Sequence, residues 1–152
     1  MIFAAIAAGI FLLDFIIKRQ IDAKRELMDE ELILNDKIIL RKYYNKGAAL
    51  NFLAKKPKLM CAIHTALMAV ATTAFGFLLS QKNRSGQKLA LSFLVGGGMN
   101  NLFDRITKHH VVDYFSFHVK WKKLRGIIFN ISDLFIFLGA ILALIFAQDG
   151  KK

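Results

Sequence analysis

Four apolar runs dominate this chain, roughly Ile2 to Ile17, Leu59 to Ser80, Leu89 to Phe103 and Ile127 to Ala147. The second and fourth reach the about 20 residues that a membrane-spanning helix needs. The first and third are shorter and end on charge, Asp14 with Lys18 and Asp104 with Arg105. Both extend by a turn if those groups are buried between helices rather than against lipid. A soluble four-helix bundle needs a polar face on each helix, and "TALMAVATTAFGFLLS" has none. The chain is 55% hydrophobic with a single proline, which also favours a membrane protein. No Lys or Arg precedes "IFAAIAAGIFLL", so a cleaved signal peptide fits poorly and the first helix is expected to stay. Cys61 lies inside the second run and is read as a small packing residue.

The expected helices cover about 2–18, 59–80, 89–105 and 127–147, within a single domain spanning 1–152. Two larger connections, about 19–58 and 106–126, then share one side of the membrane, opposite both termini and the basic turn "QKNRSGQK". In the first, "RQIDAKRELMDEE" has helical charge patterning, and "LILNDKIILRKYYNKGAALNFL" has the β-branched and aromatic content of short strands. In the second, "VVDYFSFHVKW" alternates at period two. Val111, Asp113, Phe115, Phe117, Val119 and Trp121 fall on one face, with Val112, Tyr114, Ser116, His118 and Lys120 on the other. The stretches from Lys18 to Lys58 and from Arg105 to Arg125 carry 11 and 6 Lys and Arg, against 3 in the short turn and 2 at the C-terminus. By the positive-inside rule alone those loops would be cytoplasmic.

Polar residues within the apolar runs form sets. Gly97, Asn101 and Asp104 share a helix face, as do Asn130 and Asp133, and Asp14 can pair with Lys18 one turn on. Gly96 to Gly98 let another backbone come close. Asp14 with Lys18, and Asp104 with Arg105, read as structural ion pairs, and Asn101 and Asn130 as interhelical hydrogen-bonding groups. Asp113 and Asp133 differ, having no cation within a helical turn in sequence. Two such carboxyls in contact share one proton, because like charges at close range do not both ionise cheaply. The ionised acid can then take a proton from water as the neutral one donates to a peptide carbonyl oxygen. Whether the two acids meet is a question of tertiary structure.

"NKGAAL" (Asn45 to Leu50), "GGGMNNLFDR" (Gly96 to Arg105), "VVDYF" (Val111 to Phe115) and "FNISD" (Phe129 to Asp133), after Asp14 and Lys18, together resemble the ordered motifs of the lipoprotein signal peptidases, signal peptidase II. The resemblance spans almost the whole chain. It implies an intramembrane aspartic peptidase that removes the signal peptide of a diacylglyceryl-modified prolipoprotein just before its lipidated cysteine. The implied fold has four transmembrane helices with a small extracytoplasmic β cradle and a short lid helix, which suits "RQIDAKRELMDEE". By motif, Asp113 and Asp133 become the catalytic dyad. Asn45, Asn101, Asp104, Arg105 and Asn130 become supporting groups of the substrate channel, and Asp14 with Lys18 a structural or substrate-proximal pair. No cofactor, metal or nucleic acid is implied, and a monomer in the bacterial cytoplasmic membrane is expected, with both termini cytoplasmic.

The chain departs from the family pattern at Phe15, at Leu50, at Gly126 and Ile127 where "FP" is usual, and at Ser132. His109 stands where a glycine is usual, so that turn lacks glycine's freedom at positive φ. These departures bear on the lid and channel rather than on the acids. The motifs are more specific than the lysine count, so the large loops are expected outside, where "KKPK" and "KWKKLR" would hold anionic headgroups. Two rivals remain on sequence grounds. One is a small transporter or metal-handling membrane protein using Asp14, Asp104, Asp113, Asp133 and His64, His109, His110 and His118. The other is a non-catalytic holin or packing subunit, for which the buried acids would be needless expense.

Overall fold

The computed structural model describes residues 1–47 and 52–148, so the Ala48, Ala49 and Leu50 part of "NKGAAL" lies outside the described residues. The chain is mostly helical with one small sheet. In order run α1 (Ile2–Lys24), β1 (Glu30–Ile33), β2 (Ile38–Asn45), α2 (Pro57–Ser80), α3 (Ser85–Lys108), β3 (Val111–Phe117), a short α4 (Lys122–Arg125) and α5 (Ile131–Ile145), which ends in a 3-10 turn over Phe146–Gln148.

The triple glycine makes α3 the axis of the bundle. A Cβ on Gly96 would sit 2.6 Å from the carbonyl oxygen of Ala7 on α1, and one on Gly97 would sit 2.6 Å from that of Ser132 on α5. One on Gly98 would collide with Met68 of α2. Three consecutive residues on a helix point about 100° apart, so each glycine admits a different neighbour.

Polarity is distributed inside out. Asp14, Lys18, Ser92, Asn100, Asn101, Asp104, Asn130 and Ser132 are buried between helices, whereas Leu67, Val70, Phe77, Phe137 and Leu144 face outward. Water would penalise that arrangement and hydrocarbon favours it. Among the described residues α2 alone is long and apolar enough to count as a span by composition, and α5, with 15 residues, is shorter. At about 1.5 Å per residue α1 and α3 reach about 35 Å, ample for a bilayer, but each carries buried charge along its length.

The sheet is antiparallel in the order β1-β2-β3. It lies at the end of the bundle where α1 and α3 finish and α5 begins, with both faces of β3 buried. One expectation needs correction here. The charged stretch "RQIDAKRELMDEE" forms no separate lid helix: Arg19–Lys24 continues α1, and Glu30 and Glu31 open β1. Polar residues end an apolar run but not a helix, since nothing before Arg25 breaks the backbone. Among the described residues the one short α-helix is α4. The turn at His109 does enter the left-handed region, at φ 64°, without a glycine. A side chain there costs about 1–2 kcal/mol, which the surrounding contacts must offset.

Candidate active site

Extended chain brings the last acid to the first. Before α5, Phe129 pairs as an isolated bridge with Phe115, its N–H donating to the Phe115 carbonyl at 2.7 Å while its own carbonyl accepts from Tyr114 and Phe115. This is why α5 starts at Ile131 and not at the expected 127. The bridge places Asn130, the N-cap of α5, beside Asp113. A capping box holds it there: the Asp133 N–H donates to Asn130 Oδ1 at 2.9 Å, and the Asn130 N–H returns to Asp133 Oδ2 at 3.1 Å. Such caps contribute about 1 kcal/mol. Here the cap also fixes the amide, because with Oδ1 committed to a backbone donor, Nδ2 must point the other way. It donates to Asp113 Oδ1 at 2.7 Å and to Asn101 Oδ1 at 3.2 Å.

Each carboxyl receives a second amide. Asn45 Nδ2 donates to Asp113 Oδ2 at 2.9 Å, and Asn101 Nδ2 donates to Asp133 Oδ1, also at 2.9 Å. Behind Asn101 lies Lys18, fully buried, whose ammonium donates to Asn101 Oδ1 at 2.7 Å and Asn100 Oδ1 at 2.6 Å and pairs with Asp14 and Asp104 at 3.1 Å each. The cation draws the Asn101 carbonyl oxygen toward itself, so the NH2 group faces Asp133. Asp14 in turn accepts from Tyr114 at 2.7 Å, and the same phenol oxygen accepts from the Ile131 N–H at 3.0 Å. Burial first, then the Asp14 carboxylate, hold the Tyr114 proton on well beyond the usual range.

Asp113 and Asp133 both line a cavity of about 970 Å³, with Asn45, Asn101, Arg105 and His64 near them and apolar side chains such as Phe117 and Leu134 over much of the wall. Burial, and next the charge of Asp133, push Asp113 up to about 8, against the lowering effect of the Asn45 and Asn130 amides. An acid in this state can hold a proton near neutrality and give it up to a reacting group.

Asn45, Asn101, Asn130, Asp113 and Asp133 therefore come together, with Arg105 on the same cavity wall. Asp14, Lys18 and Asp104 do not line it; they form the charged knot behind Asn101. The expected Asp104–Arg105 pair is not formed. Neighbours on a helix diverge, and Asp104 turns to Lys18, to Lys108 at 3.2 Å and to the Val112 N–H at 3.3 Å. Arg105 instead donates to the Gly47 carbonyl at 2.6 Å and lies 3.2 Å from His64 Nδ1. Asn100, Tyr114 and the His64 contact were not anticipated as parts of this network. His110 lies against the Tyr44 ring, 3.9 Å between centroids, and among the described residues no three His, Cys, Asp or Glu stand as a metal-binding group.

The model of the family described as signal peptidase (SPase) II matches residues 6–148. The lipoprotein signal peptidase of Clostridium tetani is 31% identical over 143 residues, covering 93% of this chain and 90% of that one. That of Ralstonia nicotianae is 40% identical over 105 residues, 67% of this chain and 58% of that one. A solved bacterial membrane enzyme has the same fold, with a TM-score of 0.80 at 22% identity over 97% of this chain and 89% of its own. The chain belongs to the signal peptidase II family.

Proposed function

We propose that this membrane peptidase removes the signal peptide of diacylglyceryl-modified prolipoproteins immediately before the lipidated cysteine, using Asp113 and Asp133 as its catalytic pair. The observation that carries the reading is the joint placement of two buried carboxyls on one large, mostly apolar cavity, each held by two oriented amides. The pair shares one proton. The ionised acid accepts a proton from water as its oxygen bonds to the scissile carbonyl carbon, and the neutral acid donates to the carbonyl oxygen. Collapse of the resulting diol breaks the C–N bond, with a proton delivered to the leaving nitrogen. As a coupled pair the acids titrate jointly, so the two roles belong to the dyad. Asn130 keeps both in register, and the Arg105 cation supplies positive potential to both.

In this reading α1, α2, α3 and α5 cross the cytoplasmic membrane as a monomer, with both termini inside and the sheet outside. The basic segments around Lys55 to Lys58 and Lys120 to Arg125 lie at anionic headgroups. The test is incubation of the detergent-purified protein with a prolipoprotein, with and without its diacylglyceryl group, and sequencing of the product. Cleavage only of the lipidated form, leaving the lipidated cysteine as the new N-terminus, is expected. Equal cleavage of both forms, or of neither, would contradict it.

A further inference from the structure

One cavity residue lies far from the acids and is left with an unused donor. In the β2–β3 ladder Leu40 is opposite Phe115 and Tyr43 opposite Asp113, so Arg41 and Lys42 together face Tyr114. This is a bulge, and bulges beside active sites re-aim side chains. Here the two cations part. Lys42 turns to α1, 3.2 Å from the Asp22 carboxylate and 2.7 Å from the Asp22 carbonyl. Arg41 turns into the cavity wall beside Met28 and Tyr43. Among the described residues its only ion pair is with Glu30, its partner across the β1–β2 ladder, at 3.2 Å from Nη1, and that glutamate is half exposed. Its Nε is buried with no acceptor among the described residues.

A buried unpaired donor is costly, and more so on a charged group. A planar guanidinium pinned at one nitrogen presents its remaining N–H groups in a fixed direction, ready for an oxygen acceptor. Arg41 is four positions along β2 from Asn45, which holds Asp113. With one position spent in the bulge, that is about 10–13 Å of strand. An acceptor at Arg41 is therefore many bonds from the scissile carbonyl.

We propose that Arg41 is a substrate-binding residue, donating hydrogen bonds to a carbonyl oxygen of the bound substrate remote from the scissile bond, with Glu30 pinning the guanidinium at the cavity rim. The assignment rests on the peptidase reading and names what this part of its cavity grips. Two parts of a lipidated prolipoprotein offer such oxygens: the ester groups of the diacylglyceryl moiety and the peptide backbone. Because the contact is the same in ground and transition states, it acts on KM and leaves kcat unchanged.

The experiment uses the full-length enzyme and two synthetic substrates, identical except that one carries diacyl ester chains and the other dialkyl ether chains. For Arg41→Met, KM is expected to rise by about 10- to 100-fold with kcat within about twofold, the loss of a charge-assisted hydrogen bond. Arg41→Lys is expected to recover part of the loss, and Glu30→Gln to show a smaller rise that keeps the fold intact. A rise confined to the diester identifies the ester oxygens; an equal rise with both substrates identifies the peptide. An unchanged KM in Arg41→Met and Glu30→Gln, or a fall in kcat with KM unmoved, would overturn the assignment. Failure of the wild type to cleave either substrate would instead overturn the peptidase reading.

Discussion

Asn130 Nδ2 lies 2.7 Å from Asp113 Oδ1, while the same residue's Oδ1 caps the helix that carries Asp133. One amide thus joins the two acids through opposite ends of its dipole. Helix capping and the hold on Asp113 run through one side chain.

That double duty can be separated by substitution. Asn130→Ser keeps a capping oxygen but loses the donor to Asp113, whereas Asn130→Ala loses both. Both are expected to lower kcat by about 10²-fold, the usual scale for one misplaced acid–base group. Only the alanine variant should also lose about 1 kcal/mol of stability. Thermal midpoints in detergent beside kcat decide; equal stability loss in both variants would show that the cap does not rest on the Asn130 side-chain oxygen.

The knot behind Asn101 sets a larger stability effect. Lys18→Met leaves Asp14 and Asp104 buried without their shared cation, a change worth about 3–5 kcal/mol. A fall in folded yield and thermal midpoint is expected. Adding Asp14→Asn should recover part of it, by removing one of the stranded charges. A single variant as stable as the wild type would mean the knot is already open to water.

Gly97 lets the α3 backbone come against α5. A methyl there would lie 2.6 Å from the Ser132 carbonyl, beside Asp133, so Gly97→Ala must push the helices apart. It is expected to cut activity by at least about tenfold, since a shift near 1 Å commonly costs more. Gly76→Ala on α2, where nothing lies within 4 Å, serves as the silent control. Loss of activity in both would point to a general effect of alanine on these helices.

If the two acids share one proton, the reaction is sensitive to alkali. Burial and the charge of Asp133 raise Asp113 to about 8, so the pair keeps its shared proton through neutrality and loses it above. Activity should fall along an alkaline limb centred near pH 8. Stability follows the same sign. The native state keeps a proton that the unfolded chain releases near 3.8, so this contribution is full below that value and is lost as the pH rises through about 8. In Asp113→Asn the dependence of the thermal midpoint on pH over this window should flatten.

Sidedness is tested by single cysteines at Lys56 and Ser85, after replacing Cys61. An impermeant thiol reagent added to intact cells should modify the cysteine at 56, in the loop before α2, and not that at 85, which begins α3. Modification only at 85 would invert the topology and give the lysine count the last word.

Much of this site was legible in the sequence because its signals are local. Asp113 and Asp133 stood out by lacking a nearby cation, and Gly96 to Gly98 by their size. Spacing also paired Asp14 with Lys18 and placed Asn130 on the face of Asp133. What depended on long-range geometry was not legible. The neighbour of Asp104 in sequence is Arg105, but its neighbours in space are Lys18 and Lys108. Tyr114 falls on the strand face opposite Asp113, and only the packing of β3 on α1 shows that this face is buried against a second acid. The bulge that turns Arg41 into the cavity follows from the β2–β3 register, which neither strand specifies alone.

The central claim is that Asp113 and Asp133 act as one unit. Its most direct test is the cleavage rate of a diacylglyceryl prolipoprotein by Asp113→Asn, Asp133→Asn and the double variant, each shown to be folded by its thermal midpoint. Each single change is expected to reduce kcat by at least about 10³-fold, and the double change to cost little more than either, as for residues acting together. A folded single variant within tenfold of the wild-type rate would contradict the dyad.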